Sequence, residues 1–124
     1  MFFKRRAGTR WYDRGDISSV DYTKDTLTTD GTWKDLDISG VVGVGKKLVL
    51  IQGYLSENTS RAEFGVRTKG YVNEVNVDSC MTQIGGVGIT HCFMVYTNAD
   101  GVIQYFGENI TWVYLNLTIR GWWK

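Results

Sequence analysis

Lys47-Leu48-Val49-Leu50-Ile51-Gln52-Gly53-Tyr54-Leu55 is the most apolar stretch of the chain, and its alternation decides the fold. Successive side chains of a strand point to opposite faces. Leu48, Leu50 and Tyr54 therefore share one face, and Val49, Ile51 and Leu55 share the other. A strand apolar on both faces either lies deep in a sandwich or turns one face toward another subunit. Outward from this stretch the period stays at two. Residues 61–67 set Ala62, Phe64 and Val66 against Arg61, Glu63 and Arg67, and residues 71–80 set Tyr71, Val75 and Val77 against Glu74, Asn76 and Asp78. Residues 89–96 divide into Ile89, His91, Phe93, Val95 and Thr90, Cys92, Met94, Tyr96. The turn Asn98-Ala99-Asp100-Gly101 follows, with Asp-Gly supplying the positive φ that tight turns need. In the last strand Val113, Leu115, Leu117 and Ile119 oppose Trp112, Tyr114, Asn116 and Thr118. No segment of a dozen residues has helical spacing, and fifteen glycines serve as turns. About eight short strands at this spacing predict an all-β, antiparallel sandwich of two sheets.

The length of 124 residues suits one domain, and 43% hydrophobic against 22% charged residues is a globular balance that excludes a fully disordered chain. No apolar run approaches the roughly 18 to 20 residues of a membrane helix. The net charge of +1 conceals an asymmetry. Residues 1–14 carry five basic side chains against one acidic, and the remainder carries nine basic against twelve acidic. The expected organisation is a basic N-terminal arm with a polar linker over residues 1–25 and the sandwich over residues 26–124. Met1-Phe2-Phe3-Lys4-Arg5-Arg6 has no apolar stretch of about 7 to 15 residues behind it, so synthesis in the cytoplasm without a secretory leader is expected.

Catalytic chemistry finds little purchase. His91 is the single histidine, and its neighbour Cys92 must point to the opposite face of the same strand, so the two cannot form a nucleophile-base pair. Glu63 and Glu74 fall on expected neighbouring strands and resemble a glycosidase carboxylate pair, but solvated strand faces place such residues side by side as a matter of course. The glycines of 40–45 and 85–88 do not lead into Gly-Lys-Ser/Thr or open a helix, so they are turns rather than phosphate cradles. Cys80 and Cys92 lack the Cys-x-x-Cys spacing of a zinc site, and the aspartates at 16, 21, 25, 30, 35 and 37 do not match a calcium loop; they form a solvated segment. No enzyme activity, metal or cofactor is expected.

Two features point instead to assembly. In the arm, Phe2, Phe3 and Trp11 alternate with Lys4, Arg5, Arg6 and Arg10, a combination suited to docking on an acidic surface with aromatic anchors. The acidic body would be repelled by phosphates, so a protein partner is expected and nucleic acid is not. The second face of strand 47–55, together with Trp112, Tyr114, Trp122 and Trp123, exceeds what one small core can hide. Surplus apolar surface of this kind marks a subunit interface, and a symmetric homotrimer is expected.

Residues 30–39 (Asp-Gly-Thr-Trp-Lys-Asp-Leu-Asp-Ile-Ser), Gly45-Lys46-Lys47-Leu48-Val49-Leu50-Ile51, Glu63-Phe64-Gly65-Val66-Arg67, and Ile110-Thr111-Trp112 leading to Leu117-Thr118-Ile119-Arg120-Gly121-Trp122-Trp123 resemble a jelly-roll domain common in tailed-bacteriophage virion proteins. The resemblance spans about residues 30–123, and its motifs are structural. It implies an exterior virion protein, without membrane contact, that often forms trimeric knobs closed by a terminal strand ending in Gly-Trp-Trp. A capsid decoration or head-fibre protein bound to the major capsid protein through its arm is the expectation, because the chain read as complete from Met1 has no coiled-coil shaft. The alternative it implies is a tail-fibre or receptor-binding tip attached to a tail component and touching host glycans through aromatics such as Trp112 or Tyr114.

Overall fold

The structure is a computed structural model and describes residues 10–59 and 61–124. Among them the chain lays down eight strands: β1 (Trp11–Asp13), β2 (Lys34–Asp37), β3 (Leu48–Glu57), β4 (Glu63–Thr68), β5 (Asp78–Met81), β6 (Ile89–Tyr96), β7 (Val102–Gly107) and β8 (Trp112–Trp123). One helical turn, α1 (Ser39–Val42), leads into β3. The strands form two four-stranded sheets, ordered β1-β8-β3-β6 and β2-β7-β4-β5, and every pairing is antiparallel. The chain crosses repeatedly from one sheet to the other, and this order is that of the eight-stranded jelly roll.

The expected alternation holds in β3, β4, β6 and the middle of β8. Val49, Ile51 and Leu55 of β3 are buried, as are Phe64 and Val66 of β4, Phe93 and Val95 of β6, and Leu115, Leu117 and Ile119 of β8. Phe64 sits at the centre, edge-on to Phe93 at 5.7 Å and stacked with Tyr105 at 6.1 Å. Burying each such side chain stabilises the fold by about 1.5–3 kcal/mol before entropy is charged against it. The alternation at 71–77 does not become a strand. Glu74–Asn76 is a 3-10 turn, Val75 is exposed, and β5 starts only at Asp78. β4 ends at Thr68, where the chain turns with Tyr71 N donating to the Thr68 carbonyl, so the β4–β5 ladder goes no further than the pair Val66–Asp78.

β8 breaks its own alternation twice. Its register against β3 shifts between Leu50 and Ile51 and again between Ser56 and Glu57, leaving Arg120 and Val113 as extra residues in β8. Each extra residue flips the side chains that follow to the other face. Trp112, expected on the same outward face as Tyr114, is consequently buried against Phe64 in the core. It belongs to the fold and not to a subunit interface.

The segment expected as arm and linker supplies a strand. Trp11–Asp13 pairs with residues 121–123, and Tyr22 bridges to Leu117, so the ladder reaches past the boundary expected at residue 26. Between these two points the edge of β8 has no strand beside Ile119. An ion pair fills the gap: Asp21 Oδ2 accepts from Ile119 N at 2.8 Å and from Arg14 at 2.6 Å, while Arg14 donates to the Ile119 carbonyl at 2.9 Å. Asp21 is thus largely enclosed rather than a member of a solvated series. Asp21→Ala would leave a guanidinium and a backbone N–H without their acceptor, and should cost about 1–3 kcal/mol. The check is a urea midpoint lowered at unchanged slope, with Asp16→Ala, in an exposed loop, as the neutral control.

Candidate docking surface

The outer face of the β1-β8-β3-β6 sheet gathers the apolar residues left over from the core. The ladder places Trp11, Trp123, Leu48 and Tyr96 in one row across all four strands, and the next row contains Asp13, Gly121, Leu50 and Met94. Trp11 packs on Trp123 with ring centroids 4.4 Å apart. Gly121 makes this possible, because a Cβ there would collide with the Trp11 ring and the Tyr12 carbonyl. Met94 and Tyr96 remain 47% and 45% exposed, and Lys46 Nζ lies 5.0 Å over the Tyr96 ring. Side chains of this size left in water, contiguous over several strands, are the signature of a contact surface.

A second aromatic pair, Tyr54 and Tyr114 with centroids 5.7 Å apart, occupies the other end of the same face. Between the two ends lies a polar band that includes Gln52, Cys92 and Thr118, with Arg120 donating to Gln52 at 2.8 Å. The loop 15–20 leans over this band and encloses a cleft of about 570 Å³ with Asp13, Asp16 and Arg120 on its walls. Two carboxylates against one guanidinium leave it mildly acidic, which disfavours anions.

The expected site residues are thus divided. Trp123 and Tyr114 lie on the outer face, Trp122 turns toward the interior and packs against the core, and Trp112 lies within it. Trp11 is held in the ladder, and Arg10, just before it, is exposed. Phe2, Phe3, Lys4, Arg5 and Arg6 lie outside the described residues. Leu48, Leu50, Met94 and Tyr96 join Trp11 and Trp123 through cross-strand register. The two-sided apolarity of residues 47–55 signalled the first two, but no sequence spacing signalled the row.

His91 and the thiols take structural places. His91 Nε2 lies 3.0 Å from Asp78 Oδ1, and Asp78 Oδ2 accepts from Met94 N at 2.8 Å, so one carboxylate ties β5 to β6 across the sandwich edge. Cys80 and Cys92 are free. The Cys80 thiol is pushed up to about 12, first by burial and then by the carboxylates of Asp78 and Glu63. Cys92 is exposed on the outer face. Among the described residues no group of His, Cys, Asp and Glu side chains could hold a metal ion, and no helix is long and apolar enough to cross a membrane.

No protein-family model matches the chain, and no curated protein matches it. Among solved structures it is similar to the coat protein of Tobacco streak virus, with 11% identity over 98% of this chain and 88% of that one and a TM-score of 0.39.

Alkylation follows the thiolate population. Iodoacetamide at mildly alkaline pH should therefore add one group to the folded monomer, at Cys92, and a second only after unfolding. Peptide mass mapping decides it, and prompt modification of Cys80 in the native protein would contradict its enclosure.

Proposed function

We propose that the chain is a structural virion protein, a homotrimer on the exterior of a phage head, that self-associates through the outer face of the β1-β8-β3-β6 sheet and docks through its basic N-terminal residues. The observation that carries it is the apolar row of Trp11, Trp123, Leu48 and Tyr96 on the outer face of a complete jelly roll, with Trp11 and Tyr96 exposed and Leu48 and Trp123 half-buried. Burying this row against a second copy would remove its surface from water at about 25 cal/mol per Å². Because Trp11 is committed to the sheet, the docking elements are Phe2, Phe3, Lys4, Arg5 and Arg6, with Arg10 at their base. Three such arms on one trimer attach to a capsid jointly, so weak single contacts combine through effective concentration. A larger shell gains stability when each trimer bridges neighbouring capsomers. In the second reading, attachment to a tail, the same arm holds a tail component.

Light scattering on the full-length protein, before and after addition of undecorated heads, tests both halves. A trimer taken up by heads in a fixed ratio is expected, with Cys92 shielded from iodoacetamide in the trimer. The paired change Leu50→Arg and Met94→Arg should give a folded monomer. Deleting residues 1–9 should leave the trimer and abolish uptake by heads. A wild-type monomer at all concentrations would overturn the self-association, and a trimer indifferent to heads would move the partner to the tail.

A further inference from the structure

We propose that the outer face of the opposite sheet, β2-β7-β4-β5, carries a binding site for a neutral saccharide. A cleft of about 410 Å³ opens there, within the roughly 300–1,000 Å³ range of small-molecule sites. Gly65 lies buried among the lining residues, paired with Phe106 on one side and Ser79 on the other. A Cβ at residue 65 would lie 3.0 Å from Ser79 Cβ and 3.2 Å from Val77 Cγ1, so the cleft depends on the missing side chain. Trp33 and Phe106, 5.7 Å apart and tilted by 45°, form an aromatic wall. Glu63, Arg67, Glu74 and Ser79 supply the polar lining.

The polar groups are held in place before any ligand arrives. Arg67 Nε donates to Gln104 Oε1 at 2.8 Å, Gln104 Nε2 donates to Asp35 Oδ1 at 2.9 Å, and Lys69 pairs with the other oxygen of Asp35. Lys69, and after it Gln104, holds the Asp35 carboxyl below the usual carboxylate range. This chain of contacts fixes the guanidinium 4.1 Å over the Trp33 ring. A prearranged site loses less entropy on binding.

The chemistry of the walls selects the ligand class. A pyranose ring has an apolar C–H face and a rim of hydroxyls that both donate and accept. Phe106, with the part of Trp33 that Arg67 leaves uncovered, suits the first; the Glu63 and Glu74 carboxylates accept from the rim, and the Arg67 guanidinium and Ser79 hydroxyl donate to it. Two carboxylates against one guanidinium leave the cleft acidic, which repels sialic acids, uronic acids and phosphates. The ligand is therefore an uncharged sugar. The cleft and the apolar row lie on the outer faces of different sheets, so a trimer built on the one leaves the other accessible, and neither site requires the other.

The test is a titration of the full-length, isotopically labelled protein with neutral trisaccharides of glucose, galactose, mannose and N-acetylglucosamine, followed by amide and indole NMR shifts, with sialyllactose as the anionic control. At least one neutral sugar should shift the Trp33 indole and the amides of Gly65 and Ser79 while leaving the indoles of Trp11 and Trp123 in place. Trp33→Ala should weaken binding about tenfold or more. Glu63→Gln, which keeps the side-chain shape, should also weaken it, and covers the case in which the tryptophan variant fails to fold. The proposal is overturned if no neutral trisaccharide moves the cleft signals, if both variants bind as tightly as the parent, or if sialyllactose binds more tightly than any neutral sugar. None of these outcomes touches the trimer or its uptake by heads.

Discussion

The ladder between β3 and β8 is the constraint from which the rest of the molecule follows. β3 is buried on its inner face and hydrogen-bonded on both edges, to β8 and to β6, so its ten residues set the register for the whole first sheet. β8 is longer than β3 and has to follow it with side chains that do not alternate strictly. It does so by inserting Val113 and Arg120 as extra residues. The first insertion turns Trp112 inward and leaves Tyr114 outside. The second turns Trp122 toward the core and leaves Trp123 outside, which puts Trp123 in line with Leu48 and Tyr96. Without the bulges the strand could not both close the core at its two ends and present an aromatic row.

Where side-chain pattern and tertiary partner agreed, the sequence was readable. The two faces of β3, the inward set of β4 and the division of β6 all follow from alternation, because those strands lie in the sheets with their inner faces on one core. Three things were not readable, each for a physical reason. Residues 71–77 alternate as well as any strand does, but a strand needs a neighbour, and β4 ends at Thr68 before it can lie opposite them. The place of Trp112 depends on a bulge whose only local trace is one extra residue. The strand at residues 11–13 is made by pairing across more than a hundred positions, and three residues carry too little pattern to announce it.

The same limit applied to the surfaces. Glu63 and Glu74 were visible as a pair of carboxylates, but the groups that give the cleft its character came from elsewhere in the chain. Trp33 and Phe106 meet only because β2 and β7 are neighbours, and the route from Asp35 through Gln104 to Arg67 runs across three strands. The aromatic residues of the first sheet were visible as a surplus, whereas their assembly into a row required the register. Composition counted the excess apolar surface, and topology decided which part of it the core could use.

The Arg14–Asp21 pair shows how the fold manages an incomplete edge. β1 covers only residues 121–123 of β8, and Tyr22 touches it again at Leu117, so the intervening Ile119 would expose an N–H and a carbonyl at a sheet edge. An open edge of this kind is a template for unwanted pairing with another chain. A further β strand could have covered it, but β1 would then have continued straight across the position where the loop 15–20 now turns out over the sheet. Side chains supply the same two hydrogen bonds without the strand. In the proposed trimer, association would thereby fall on the apolar side chains of the face and not on this backbone edge, with contact geometry set by the packing of Trp11, Leu48, Tyr96 and Trp123 and not by the indefinite repeat of a β ladder. For the proposed trimer, a closed oligomer and not a fibre, that is the safer place to be adhesive.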